Sequence, residues 1–212
     1  MANTRNIALN VLLKIENEGA YSNIALNNAI KENRLSGVDS SFVSALVYGV
    51  LERRITLDYI IRSYSKIPLR KIETKTKNIL RLGILQLLFM DKVPDSAAVN
   101  ESVNLAKKHK LQKSSGFING ILRNITRAEV KYTLPDEKDR ARYLSVKYSV
   151  PENIVKLWIN SYGESNAEQL LASLNGRAKI CCRVNTLRTD ADTLIKKLSD
   201  EGVVAEKIPF IN

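Results

Sequence analysis

The stretch IETKTKNILRLGILQLLFM, Ile72 to Met90, decides how this sequence is read. At helical pitch Ile79, Leu80, Leu82, Ile84, Leu85, Leu87, Leu88 and Phe89 leave almost no polar face, so the segment is expected to form a helix that is apolar all round. Such a helix belongs at the centre of a bundle. Pro68 ends the helix before it, and Pro94 breaks the chain after it.

Working outward, the flanking segments supply the amphipathic helices that such a centre needs. Ile7, Ala8, Val11, Leu12 and Ile15 form a helical stripe that stops at Gly19, a natural residue for the position just past a helix end. Ser22 is expected to cap a helix carrying Ile24, Leu26, Ala29 and Ile30, and Asp39 one carrying Phe42, Leu46, Val47, Val50 and Leu51. Thr56 is expected to cap a fourth, with Leu57, Ile60, Ile61 and Tyr64 inward. On the other side, Asp95 or Ser96 caps a helix to about His109, and Ser114 or Ser115 opens one to Ile125. No alternating strand pattern intervenes, so residues 1–130 read as an all-α domain of seven or eight short helices.

The style then changes. EVKYTLPDEKDRA, with Pro135, is polar and reads as a linker over 131–142. Two further helices are expected, from Pro151 to Tyr162 with Gly163 beyond it, and from Glu164 to Leu174. KICCRV, Lys179 to Val184, and VVAEKI, Val203 to Ile208, read as strands on either side of a helix from Asp190 to Ser199. The expected fold class is therefore mainly α: a helical bundle, more helices, and over 143–212 a helical connector with the start of a small βαβ subdomain. Two strands and one helix cannot bury a sheet face, so either the chain is part of something longer or this tail is expected to pack on the helices before it. Cys181 and Cys182 fall in the first strand and should point to opposite faces.

The chain carries 33 Lys and Arg against 22 Asp and Glu, net +11, with 44% hydrophobic residues, which excludes a disordered class. The excess is local. Residues 1–60 hold 6 basic and 6 acidic side chains, residues 61–130 hold 14 and 5, and residues 131–212 hold 13 and 11. Lys71, Lys75, Lys77 and Arg81, then Lys107, Lys108, Lys110 and Lys113, then Arg123, come from consecutive helices with little compensating acid. A Lys-rich solvated surface would read similarly, but recurrence across helices fits a phosphate backbone.

Other chemistry finds no support in the inventory. Two adjacent cysteines and one histidine cannot build a disulfide framework or a Cys/His zinc site, so no metal is expected and a cytoplasmic setting fits. No apolar run approaches the roughly 20 residues that span a bilayer, and no membrane partner is expected. The nine glycines form neither GxGxxG nor a phosphate loop. His109, among lysines, reads as a surface histidine, and Gly116 and Gly120 of GFING read as a close helix contact.

Four stretches together resemble a known family: FVSALVYGVLERRITLDYII (Phe42 to Ile61), ILRLGILQLLFMDKVPDSAAVNESVNLAKK (Ile79 to Lys108), GFINGILRNI (Gly116 to Ile125) and RVNTLRTD (Arg183 to Asp190). The first three are similar to the NusB-like RNA-binding domain, in the form fused to bacterial ribosomal RNA methyltransferases of the RsmB, or Sun/Fmu, family. The fourth resembles the RVN motif, here Arg183, Val184 and Asn185, that precedes the catalytic domain of RNA cytosine-C5 methyltransferases. The resemblance implies an enzyme that methylates C5 of a cytosine in small-subunit ribosomal RNA with S-adenosylmethionine, and it implies RNA contact by Arg5 of the first helix. The family's catalytic domain, with its glycine-rich cofactor loop and paired cysteines, has no counterpart here. Cys181 and Cys182 precede the motif and inherit no catalytic role. The chain is thus expected to bind small-subunit ribosomal RNA, to hold no cofactor of its own, to work with a C-terminal catalytic domain of the same protein, and to be inactive alone. A non-enzymatic NusB-like antitermination or RNA/protein-binding module is the alternative.

Overall fold

The computed structural model describes residues 4–174 and 180–208, which fall into two compact units divided at residues 175 and 176. The first unit holds ten α-helices: α1 (Thr4–Glu18), α2 (Ser22–Glu32), α3 (Gly37–Glu52), α4 (Arg54–Tyr64), α5 (Thr74–Phe89), α6 (Asp95–Lys108), α7 (Gln112–Arg127), α8 (Arg140–Tyr148), α9 (Glu152–Tyr162) and α10 (Glu164–Leu174). A 3₁₀ turn at Leu69–Lys71 precedes α5.

Helix α5 is the centre that its sequence requires. Every residue from Asn78 to Gln86 is buried, and α1, α3, α4, α6 and α7 all pack on it. Gln86, its buried polar residue in the last turns, is satisfied at both ends: its Nε2 donates to Leu82 O at 2.7 Å and its Oε1 accepts from Arg5 Nε at 2.7 Å. Gly83 lets α6 and α7 come close, because a Cβ there would lie 2.7 Å from Leu122 Cδ1 and 2.9 Å from Ser102 Oγ. The glycines of GFING do no such work. Added methyl groups at Gly116 and Gly120 would meet open space, which corrects the expectation of a close helix contact there.

Several expected caps are also displaced. Helix α3 begins at Gly37 and leaves Asp39 in its first turn. Thr56 lies inside α4, buried, and its hydroxyl donates to Val146 O at 2.5 Å, tying α4 to a helix that sequence periodicity did not reveal. That helix, α8, is short, is capped by Asp139, and is further held by Ser149 Oγ, which accepts from Ile55 N at 3.1 Å. With α9 and α10 it forms a small core of Leu144, Val155 and Leu171. The segment before α8 also touches the bundle, where Tyr64 donates its hydroxyl to Lys131 O at 2.6 Å.

The second unit contains α11 (Ala191–Asp200), capped by Asp190, whose Oδ1 accepts from Thr193 N at 2.8 Å. The expected βαβ arrangement is not seen: among the described residues there is no strand, and residues 180–184 and 203–208 run without a ladder. Lys179 lies outside the described residues. Ile180 and Val204 are fully exposed, and two strands with one helix are too few elements to bury a sheet face. Cys181 and Cys182 are correspondingly both exposed, not split between two faces.

Candidate nucleic-acid interface

Three helix ends converge around His109. The residue follows the last turn of α6, and its Nε2–H donates to Asn6 Oδ1 of α1 at 2.7 Å, since a carbonyl oxygen can only accept. Burial first, and then the charges of Lys75 in the first turn of α5 and Lys108 in the last turn of α6, hold its pKa below the ordinary histidine value. The two lysines therefore converge electrostatically on one imidazole, although 33 residues separate them in sequence.

The chain then turns through Lys110, in left-handed backbone at φ 60°, and enters α7 beside Lys113. Lys107, Lys108, Lys110 and Lys113 are all exposed, and Lys71 is exposed in the turn that leads into α5. Part of this charge complements the carbonyl end of α6. The remainder forms a basic surface at one end of the bundle, drawn from α5, α6 and α7.

Other expected contacts are withdrawn from that surface. Arg81 is 4% exposed and fully engaged inside the bundle, donating to both Asp58 oxygens, to Glu16 and to Asn78. A phosphate cannot reach it, and its place among the RNA contacts is corrected. Lys77 pairs with Glu16 at 3.3 Å, about 200° around the helix from Lys75. Arg5 is half-buried, donating to Gln86 and lying over the Phe42 ring at 5.2 Å, so it joins α1 to α5 and α3. Arg123 is exposed but donates to Asn119 Oδ1 at 2.9 Å, and ten residues along α7 place it roughly 15 Å from Lys113.

In the second unit, Arg183 is exposed and Val184 half-buried. Asn185 builds a turn: its Oδ1 accepts from Leu187 N at 3.1 Å and its main-chain oxygen from Arg188 N at 2.9 Å. The turn delivers the chain to the Asp190 cap of α11. The partnership of Asn6 and His109 was missed by sequence reasoning. Its only trace was a histidine amid lysines, and nothing in periodicity pairs it with an asparagine 103 residues away.

Among the described residues no group of acidic, histidine and cysteine side chains could hold a metal ion, and no helix is long and apolar enough to cross a membrane.

Comparison with known proteins matches the NusB family over residues 2–127 and the ferredoxin-like domain of RsmF/B-like methyltransferases over residues 150–212. The probable ribosomal RNA small subunit methyltransferase B of Bacillus subtilis (strain 168) is 36% identical over 96% of this chain, and that of Synechocystis sp. is 34% identical over 94%. The chain spans 45% of the length of each. The transcription antitermination protein NusB of Nocardioides sp. is 36% identical over 58% of the chain and 90% of its own length. The crystal structure of PH0851 shares the fold, with a TM-score of 0.65 at 17% identity over all of this chain and 47% of that one.

Proposed function

The chain belongs to the NusB family through residues 2–127, and from that premise we propose that it is the RNA-recognition region of a small-subunit ribosomal RNA methyltransferase. The observation that carries this reading is the run of exposed Lys107, Lys108, Lys110 and Lys113 from the end of α6 to the start of α7, beside a His109 whose ring also feels the charge of Lys75 in α5. Exposed charge from the end of one helix and the start of the next faces one region, as a bent phosphate backbone requires. The parent enzyme would transfer a methyl group from S-adenosylmethionine to C5 of a cytosine in the cytoplasm. This chain would contribute the docking and rely on a catalytic domain of the same protein for the chemistry. The two family matches, over residues 2–127 and 150–212, support a recognition domain over 1–130, a linker over 131–142 and a second domain from 143, although α8, α9 and α10 share one compact unit with the bundle. The antitermination module is the weaker reading, because the match to methyltransferase B continues past the NusB-like region to cover 96% of the chain.

The test is binding to a small-subunit ribosomal RNA hairpin across a salt series. The logarithm of affinity should fall with the logarithm of salt by about 0.7 to 0.9 per phosphate contact. Lys75→Glu with Lys108→Glu should remove about two contacts from that slope. A slope near zero, or one unaffected by the pair, overturns the proposal.

A further inference from the structure

We propose that the cleft between α1 and α2 is a base pocket, taking one unstacked nucleobase of the single-stranded RNA whose phosphates follow the Lys75 and Lys108 surface. The cleft measures about 350 Å³, near the lower end of pockets that hold compact ligands, so it suits a single heterocycle. Its apolar lining is Ile7, Val11, Leu13 and Ala29, of which Leu13 and Ala29 are partly exposed for a flat ring to lie against. Asn6, Asn10 and Asn17 line the α1 side, and Asn33 closes the α2 side.

Amides are the side chains suited to base edges, since each offers both donors and an acceptor in one plane. Asn33 is partly committed, its Nδ2 donating to Ala29 O at 2.8 Å, which fixes the end of α2 and leaves Asn10 and Asn17 as the exposed readers. The charges argue against an anion site: Lys14 is matched by Glu18 and Glu32 on the same walls. A neutral, edge-polar ring fits this lining better than a phosphate does.

Asn6 makes the pocket continuous with the basic surface. It is a wall of the cleft and also the acceptor for His109, on which Lys75 and Lys108 converge. In the proposed complex a strand gripped at those lysines would pass Asn6 and place its next base at the cleft. Recognition of unstacked bases by edge hydrogen bonds is the usual way in which proteins read single-stranded RNA.

This inference rests on the RNA-binding reading, and one experiment separates the two. The whole chain is titrated with fluorescent octamers of adenylate, cytidylate and uridylate, and with an abasic ribose-phosphate octamer of equal charge. At least one base-bearing octamer should bind about tenfold more tightly than the abasic one, in keeping with one good edge contact. Asn10→Ala with Asn17→Ala should bring that ratio near one, whereas Asn27→Ala, outside the cleft, should preserve it. Side-chain amide resonances of Asn10 and Asn17 should shift on adding the preferred octamer. Equal affinity for base-bearing and abasic octamers, or a ratio indifferent to the double substitution, overturns the base pocket while leaving phosphate binding standing. No binding to any octamer at low salt overturns the base pocket, and if the ribosomal RNA hairpin also fails to bind it overturns both.

Discussion

Arg81 holds Asp58 by two parallel hydrogen bonds, Nε to Oδ1 at 2.7 Å and Nη2 to Oδ2 at 2.8 Å, while its Nη1 donates to Glu16 at 2.9 Å. One guanidinium thereby joins α5 to α4 and α1. Burial alone would lower its pKa, but the bonds and charges of Asp58 and Glu16 outweigh burial and raise it. Replacing Arg81 by Met would strand the Asp58 carboxylate at the helix junction and leave Glu16 to Asn78 and Lys77. The expected loss is about 3–5 kcal/mol, read as a fall in the urea midpoint at neutral pH. A loss below about 1 kcal/mol would mean that the carboxylates find water or other partners.

Gly83 and Gly120 should respond in opposite directions to the same methyl group. At Gly83 the new Cβ meets Leu122 and Ser102 at under 3 Å between packed helices, and alanine should cost about 1–3 kcal/mol. At Gly120, exposed in the middle of α7 with nothing within 4 Å, alanine should stabilise by up to about 1 kcal/mol through helix propensity. Thermal unfolding of the two variants checks the pair, and a stable Gly83→Ala would show that Leu122 can repack.

These contrasts mark where the sequence was legible. The all-round apolarity of Ile79 to Phe89 requires a central helix whatever surrounds it, and α5 is that helix. Gly19 and Gly163 mark helix ends through positive φ, a local property that a single residue carries. In the sequence Arg81 reads as a surface cation, because its partners Asp58 and Glu16 lie 23 and 65 residues away, beyond any periodic pattern. Thr56 reads as a cap for the same reason: its acceptor, Val146, comes from a helix too short to declare itself. Of the site, Lys75 and Lys108 were legible as charge, whereas their convergence on His109 and Asn6 needed the packing of α1 against α5 and α6.

Glu16 links that buried network to pH. Burial pushes its pKa upward, but the Asn78 amide, Arg81 and Lys77 together hold it below the ordinary carboxylate value of 4.5. A carboxyl depressed in the folded state contributes stability that is complete above its unfolded pKa and is lost as pH falls through the folded one. The urea midpoint should therefore drop between about pH 5 and pH 3 more steeply for the native sequence than for Glu16→Gln. Parallel profiles would show that Glu16 is not part of the acid response.

His109 should report the arrival of RNA as proton uptake. In the free protein its pKa lies below the ordinary value, because burial and then Lys75 and Lys108 oppose a positive ring. A phosphate held by those two lysines offsets their charge, so its binding raises the histidine pKa toward about 6.5. A group with more affinity for protons in the complex than in the free protein makes binding tighter as pH falls through the window below that value. Affinity for a ribosomal RNA hairpin should thus increase from about pH 7.5 to pH 5.5 at constant salt. Titration calorimetry in buffers of different ionisation enthalpy should show protons taken up over the same range. His109 is the chain's single histidine, and His109→Gln, which retains an N–H donor for Asn6, should flatten both responses. An affinity that is already flat in the unsubstituted protein would place the phosphate track away from His109.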